Sequence, residues 1–247
     1  MSPPAMSTFP RVLAPVRIST DGTATNEDYE FRDEPHFAED GQARVVMFTR
    51  SIGHYLGEML AKESAKLACE GSDLYVVGSV AWATDKELMS ALGQHTSGTC
   101  LVVNKESWLS EYTFRALKPI SLELMFLSQD IMPPSYSEPW ARSVWCAGAI
   151  NVEKNVQFPR MHRKDLVFCA RQRPRGDIVS APLVPYAVWC GSYNLTRTAR
   201  DSVESATLTW STILARHSYR AFLQVLAHAE PIDSKAVASS PVLTNGA

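Results

Sequence analysis

From Ala43 onward the sequence alternates short apolar runs with amphipathic stretches, and this alternation most constrains its fold. Residues 50–69 place Ile52, Leu56, Met59, Leu60 and Leu67 on one helical face, with Gly71 as a stop. Residues 74–82 (LYVVGSVAW) predict a buried strand, and Thr84 or Asp85 caps a short helix running through Leu92. A strand over 100–103 and a helix over 106–117 follow. Further strands are expected at 144–150, 166–169, 186–190 and 206–210, then a helix over about 213–229. Strands and helices at this spacing predict an α/β fold, with a mixed, largely parallel sheet flanked by helices on both faces. There is no convincing internal repeat.

Composition sets the outer limits. A chain of 247 residues that is 45% hydrophobic and 20% charged is neither collagen-like nor wholly disordered. Residues 1–42 carry prolines and then Glu27, Asp28, Glu30, Asp33, Glu34, Glu39 and Asp40, with little to bury. They are expected to form an acidic, partly disordered arm before a catalytic domain at 43–231 and a flexible tail at 232–247. A second reading has the arm folding over a basic surface. No window approaches 18 consecutive apolar residues, and the N-terminus lacks a secretory apolar core, so stable membrane insertion is not expected. The five cysteines form no CxxC pair. Cys146, Cys169 and Cys190 sit in apolar runs, where a thiol packs as a small hydrophobe. A reduced, cytoplasmic protein without structural zinc is expected.

The residues able to do chemistry lie between Pro159 and Glu204. His162-Arg163-Lys164 immediately precedes an apolar strand, so an imidazole and an ammonium two residues apart share one side. Gly191-Ser192-Tyr193-Asn194 ends another apolar strand. Gly191 permits close backbone approach there, and Ser192 and Asn194 supply hydroxyl and amide donors. Glu204 precedes the strand ATLTW and is placed to accept the second N–H of a histidine. Nucleophile, cation, amide and orienting carboxylate are the parts needed to attack phosphorus and hold its charge. Trp145, Trp189 and Trp210 fall in strand runs and are expected in the core.

The order HxK, GSxN, Glu, each placed around a strand, resembles the phospholipase D superfamily, the HKD phosphodiesterases, in its single-motif bacterial nuclease-like members. The resemblance covers roughly residues 43–230 and is specific in FPRMHRKDLVF, VWCGSYNLT and SVESATL. It implies a metal-independent phosphodiesterase without cofactor. His162 would attack and form a phosphohistidine, Lys164 and Asn194 would hold the nonbridging oxygens with Ser192 supporting them, and Glu204 would orient an imidazole. A second histidine must protonate the leaving oxygen. His36, His54, His95, His217 and His228 all lack a Lys two residues later. One HxK per chain therefore implies a homodimer with its site on the two-fold axis. The family pattern HxKxxxxD is broken, since Cys169 occupies the Asp position and Asp165 is out of register.

Net charge, −2 overall, is a cancellation. Residues 21–40 hold eight acids against one Arg, whereas residues 160–200 hold eight basic residues against Asp165 and Asp177. Arg160, Arg163, Arg171 and Arg173 are thus candidate substrate-binding residues, and nucleic acid, DNA or RNA, is the expected substrate. A phospholipase or phosphatidyl transferase is the alternative enzyme, although no strong interfacial amphipathic element accompanies the motifs. A catalytically degenerate nucleic-acid-binding or interaction module is the alternative of another class, which the missing Asp keeps open.

Overall fold

Residues 74–80 are apolar on both faces, a pattern that suits a strand covered from two sides. In the computed structural model they form most of β3 (Ser72–Val80), which lies inside a nine-stranded sheet among the described residues. Those residues are 36–39, 43–49, 52–106, 110–125, 142–148, 161–174, 181–202 and 204–232. All belong to the compact unit Glu34–Ala247; the other unit, Met1–Asp33, and the tail from 233 lie outside them.

The remaining strands are β1 (His36–Glu39), β2 (Ala43–Thr49), β4 (Gly98–Asn104), β5 (Val144–Ala147), β6 (Lys164–Gln172), β7 (Val184–Gly191), β8 (Glu204–Trp210) and β9 (Glu230–Pro231). Their order is β1-β2-β8-β7-β6-β3-β4-β5-β9. The fold is α/β with a mixed sheet, but the sheet is not largely parallel. Only β3–β4 and β4–β5 pair in parallel, and the other pairings are antiparallel. The physical reason lies in the connections: among the described residues the helical segment between β6, β7 and β8 is a single short 3₁₀ turn, Thr198–Asp201, and each strand turns back beside the last. The sheet also begins at His36 rather than Ala43, because Phe37 and Ala38 pair with Val45 and Arg44. A four-residue strand ending in Glu39 has the short, charged character of a protected edge and little periodicity to betray it.

The helices are α1 (Ile52–Cys69), α2 (Lys86–His95), α3 (Leu122–Met125) and α4 (Thr212–Ala227). α1 ends before Gly71, whose φ of 72° is the left-handed conformation that glycine adopts without strain. Asp85, not Thr84, caps α2 by accepting from the backbone N–H groups of Glu87 and Leu88. The helix expected over 106–117 is a single 3₁₀ turn at Glu111–Phe114 in the described part. Its buried anchors Phe114 and Leu117 are three apart, matching one tight turn, and Pro119 follows.

Alternation along β6 separates two cores. Leu166 and Phe168 face α1 and α2, packing with Ile52, Leu56, Leu60, Leu88 and Leu92. Val167 and Cys169 face α4, packing with Tyr219, Phe222 and Leu226. Helices thus cover both faces, as expected. Trp145 and Trp189 are buried. Trp210 is half-buried and donates its Nε1–H to the buried Glu63 of α1, which also accepts from the Tyr186 hydroxyl at 2.8 Å. Cys146 and Cys169 are buried, but Cys190 lies at the exposed end of β7, so its apolar run stops short of it. No helix among the described residues is long and apolar enough to cross a membrane.

Candidate active site

An antiparallel meander brings the start of its first strand, the end of its second and the start of its third to one edge. Here those positions are Lys164, Gly191 and Glu204, so the HxK, GSxN and Glu motifs meet at one end of the sheet. The register runs Asp165 to Cys190 and Gly191 to Ala206. The parallel strand β3 also ends here, with Val80 opposite Lys164.

His162 is exposed and Lys164 half-buried. The Lys164 ammonium lies 3.1 Å from His162 Nε2 and 3.4 Å from Nδ1, and it also donates to the His162 carbonyl at 3.4 Å. An ammonium only donates, so the ring nitrogen facing it presents a lone pair. Burial lowers the pKa of Lys164, while the nearby Glu204 charge opposes that shift. Trp82 stands edge-on to His162, with ring centroids 5.8 Å apart at 79°, and donates its Nε1–H to Glu106 at 3.0 Å.

Ser192 donates its hydroxyl hydrogen to the Glu204 carboxylate and accepts from the Ser205 N–H at 2.9 Å. No imidazole of the described residues contacts Glu204. Gly191 makes this arrangement possible. A Cβ there would lie 2.0 Å from the Ser205 carbonyl oxygen and 2.7 Å from Ala206 Cα, both main-chain atoms. Gly191→Ala is therefore expected to push β7 from β8 and cost about 2 kcal/mol. A urea titration checks it, and an unchanged midpoint would show that the strands separate freely.

Beyond Ser192 the chain is tied to α2. Leu195 O accepts from Thr84 N–H at 2.8 Å and Asp85 N–H at 2.9 Å. Arg200 forks onto the buried Asp85, with Nη2 2.6 Å from Oδ1, and reaches Glu87 at 2.6 Å. Asn194 is half-buried, and its Oδ1 is buried without a hydrogen-bond partner. A cleft of about 480 Å³ is lined by Trp82, Thr84, Asn194, Thr196 and Thr198.

The expected basic surface divides. Arg163 is turned onto Asp165 through two 2.8 Å bonds, which gives that out-of-register acid a partner other than substrate. Arg171 and Arg173 lie roughly 20 Å or more along β6 from Lys164, at the far end of the strand. There Arg171 donates to Ala181 O and the Tyr75 hydroxyl, and Arg173 pairs with Asp73. Arg160 lies outside the described residues. Cys169, five residues from Lys164, faces the α4 core and is fully buried, away from the imidazole. Sequence reasoning missed Trp82, assigning it to the strand and not to the site. The usable signal was its place just past a strand of the sheet's parallel part, where open α/β sheets bind ligands.

No family model matches the chain. It is similar to an uncharacterised protein of Acanthamoeba polyphaga mimivirus, 31% identical over an alignment of 186 residues that covers 65% of this chain and 61% of that protein. The chain thus spans less than two thirds of that relative's length. Among solved structures it is similar to NucT from Helicobacter pylori, with 10% identity and a TM-score of 0.45 over 77% of this chain and 99% of that one. It is also similar to Nuc from Salmonella typhimurium, a phospholipase D family member, with 12% identity and a TM-score of 0.39 over 76% of this chain and 97% of that one.

Proposed function

We propose that this chain is a phosphodiesterase of the phospholipase D type, a nuclease that works without metal at a site shared by two copies. The observation that carries this reading is the meeting of His162, Lys164, Ser192, Asn194 and Glu204 at one sheet end. Substrate phosphate draws the Lys164 ammonium off the imidazole and so frees the ring lone pair. His162 then attacks phosphorus, an N–P bond forms, and the P–O bond to the leaving group breaks. The leaving oxygen takes its proton from a second imidazole, supplied by the other copy of His162 across the two-fold axis. That imidazole next takes a proton from water, whose oxygen displaces His162 from phosphorus. Lys164 and the Asn194 amide hold the nonbridging oxygens, and Glu204, steadied by Ser192, orients the second imidazole.

Lys164 must be cationic to do this, which predicts a pH dependence. Burial disfavours its charged form, so oligonucleotide binding by the His162→Ala protein, which lacks the titrating imidazole of the site, is expected to weaken along an alkaline limb that lies below that of an ordinary lysine. Lys164→Arg on that background keeps its charge far higher and should move that alkaline limb upward. Identical limbs in both proteins would remove Lys164 from this role.

The deciding experiment assays DNA, RNA and phospholipid vesicles with wild type and His162→Ala in EDTA. Cleavage of nucleic acid by wild type alone supports the reading. Loss of activity in EDTA overturns metal independence, and cleavage of lipid alone makes the protein a phospholipase. Nucleic-acid binding without turnover makes it a binding module. A strict monomer by light scattering overturns the shared site.

A further inference from the structure

The meander explains the phosphate chemistry but leaves the cleft beside it unused. Resting on the nuclease reading, we propose that this cleft is a nucleobase subsite flanking the reacting phosphate, with Trp82 as its stacking surface.

Three observations lead there. First, Trp82 is positioned rather than merely packed. It is half-buried, its Nε1–H is held by Glu106, and its ring meets that of His162 at 5.8 Å. A planar group lying on the indole therefore belongs to the nucleotide whose phosphate faces His162. Stacking on an aromatic face suits every base, because each base has a π-face. Second, the rest of the cleft's lining is polar and short. Thr84, Thr196 and Thr198 belong to it, and the last two place their hydroxyl oxygens 3.2 Å apart. Hydroxyls donate or accept as needed and so tolerate different base edges. Asn194 lines the cleft as well and adds a further polar side chain to it. Third, the Lys164 ammonium lies 5.9 Å from the Trp82 ring centroid. That charge repels a cationic headgroup such as choline, the other ligand that aromatic faces attract. It leaves a neutral ring on an anionic backbone as the matching occupant. The cleft's volume of about 480 Å³ is within the range of small-ligand sites.

The test compares two short oligomers of equal length and charge, an oligothymidylate and its fully abasic counterpart, so that phosphate attraction cancels. Wild type is expected to favour the base-bearing strand by about 5- to 150-fold in kcat/KM. Trp82→Ala should bring this ratio close to one, while Trp82→Phe should keep most of it. The same ratio is measured as binding by fluorescence anisotropy on the His162→Ala protein, with and without the Trp82 changes. A ratio unchanged by Trp82→Ala, or a wild type indifferent to the base, overturns the subsite. Binding that depends on Trp82 and the base, without cleavage by wild type, supports the subsite and instead overturns the catalytic reading.

Discussion

Replacing His162 with alanine is expected to lower turnover of a nucleic-acid substrate at least about a thousandfold while leaving binding within a few-fold. The imbalance follows from placement. His162 is exposed at the mouth of the strand-end site and holds up no core, so its loss should not unfold the chain. Lys164, which donates to that ring at 3.1 Å, remains to bind phosphate. If the reaction passes through an N–P bond, acid-labile and alkali-stable label from the substrate should appear on wild type and be absent from His162→Ala. Turnover that survives the substitution would remove His162 as nucleophile. Lost turnover with lost binding would make it a binding residue instead.

Replacing Arg200 with methionine is expected to be the most destabilising change near the site, at about 3 kcal/mol. Asp85 is only 3% exposed, and its carboxylate would lose the guanidinium fork. The helix-capping bonds from Glu87 and Leu88 N–H would remain, yet the charge would lack its counter-ion. Asp85→Asn on the methionine background removes that charge and should restore part of the loss, a coupling that a double-mutant cycle in urea measures. The same clamp holds the chain after Asn194 against α2, so kcat/KM should fall as well, up to about a hundredfold. A methionine variant as stable as wild type would show that Asp85 is satisfied without Arg200.

The parts most legible in the sequence were those governed by local chemistry. The face of α1, the Gly71 stop, the Asp85 cap and the apolar β3 all follow from period, caps and backbone freedom. Sheet direction depends on what joins the strands, and reading the helix-rich first half onto the second led to too many parallel pairs. The short connections between residues 164 and 210, which among the described residues carry only the 3₁₀ turn Thr198–Asp201, already argued for hairpins. The meeting of HxK, GSxN and Glu204 was readable because all three lie on that meander. Counting basic residues was less informative. Charge sums ignore partners, and Arg163, Arg173 and Arg200 each face a carboxylate. Trp82 was hidden because a tryptophan that follows a buried strand looks like more of that strand.

The pairing of β2 with β8 has a consequence for how the molecule comes into being. Ala43 lies beside Trp210 and Thr49 beside Glu204, so partners are separated by most of the chain. During synthesis β2 emerges early and must wait, with one edge unpaired, until β8 leaves the ribosome. Such late closure of a distant pair slows folding and exposes a strand edge to other chains. Glu204 begins that late strand, so the candidate site is completed in the same step that closes the sheet, and a nascent chain ending before residue 204 lacks its carboxylate.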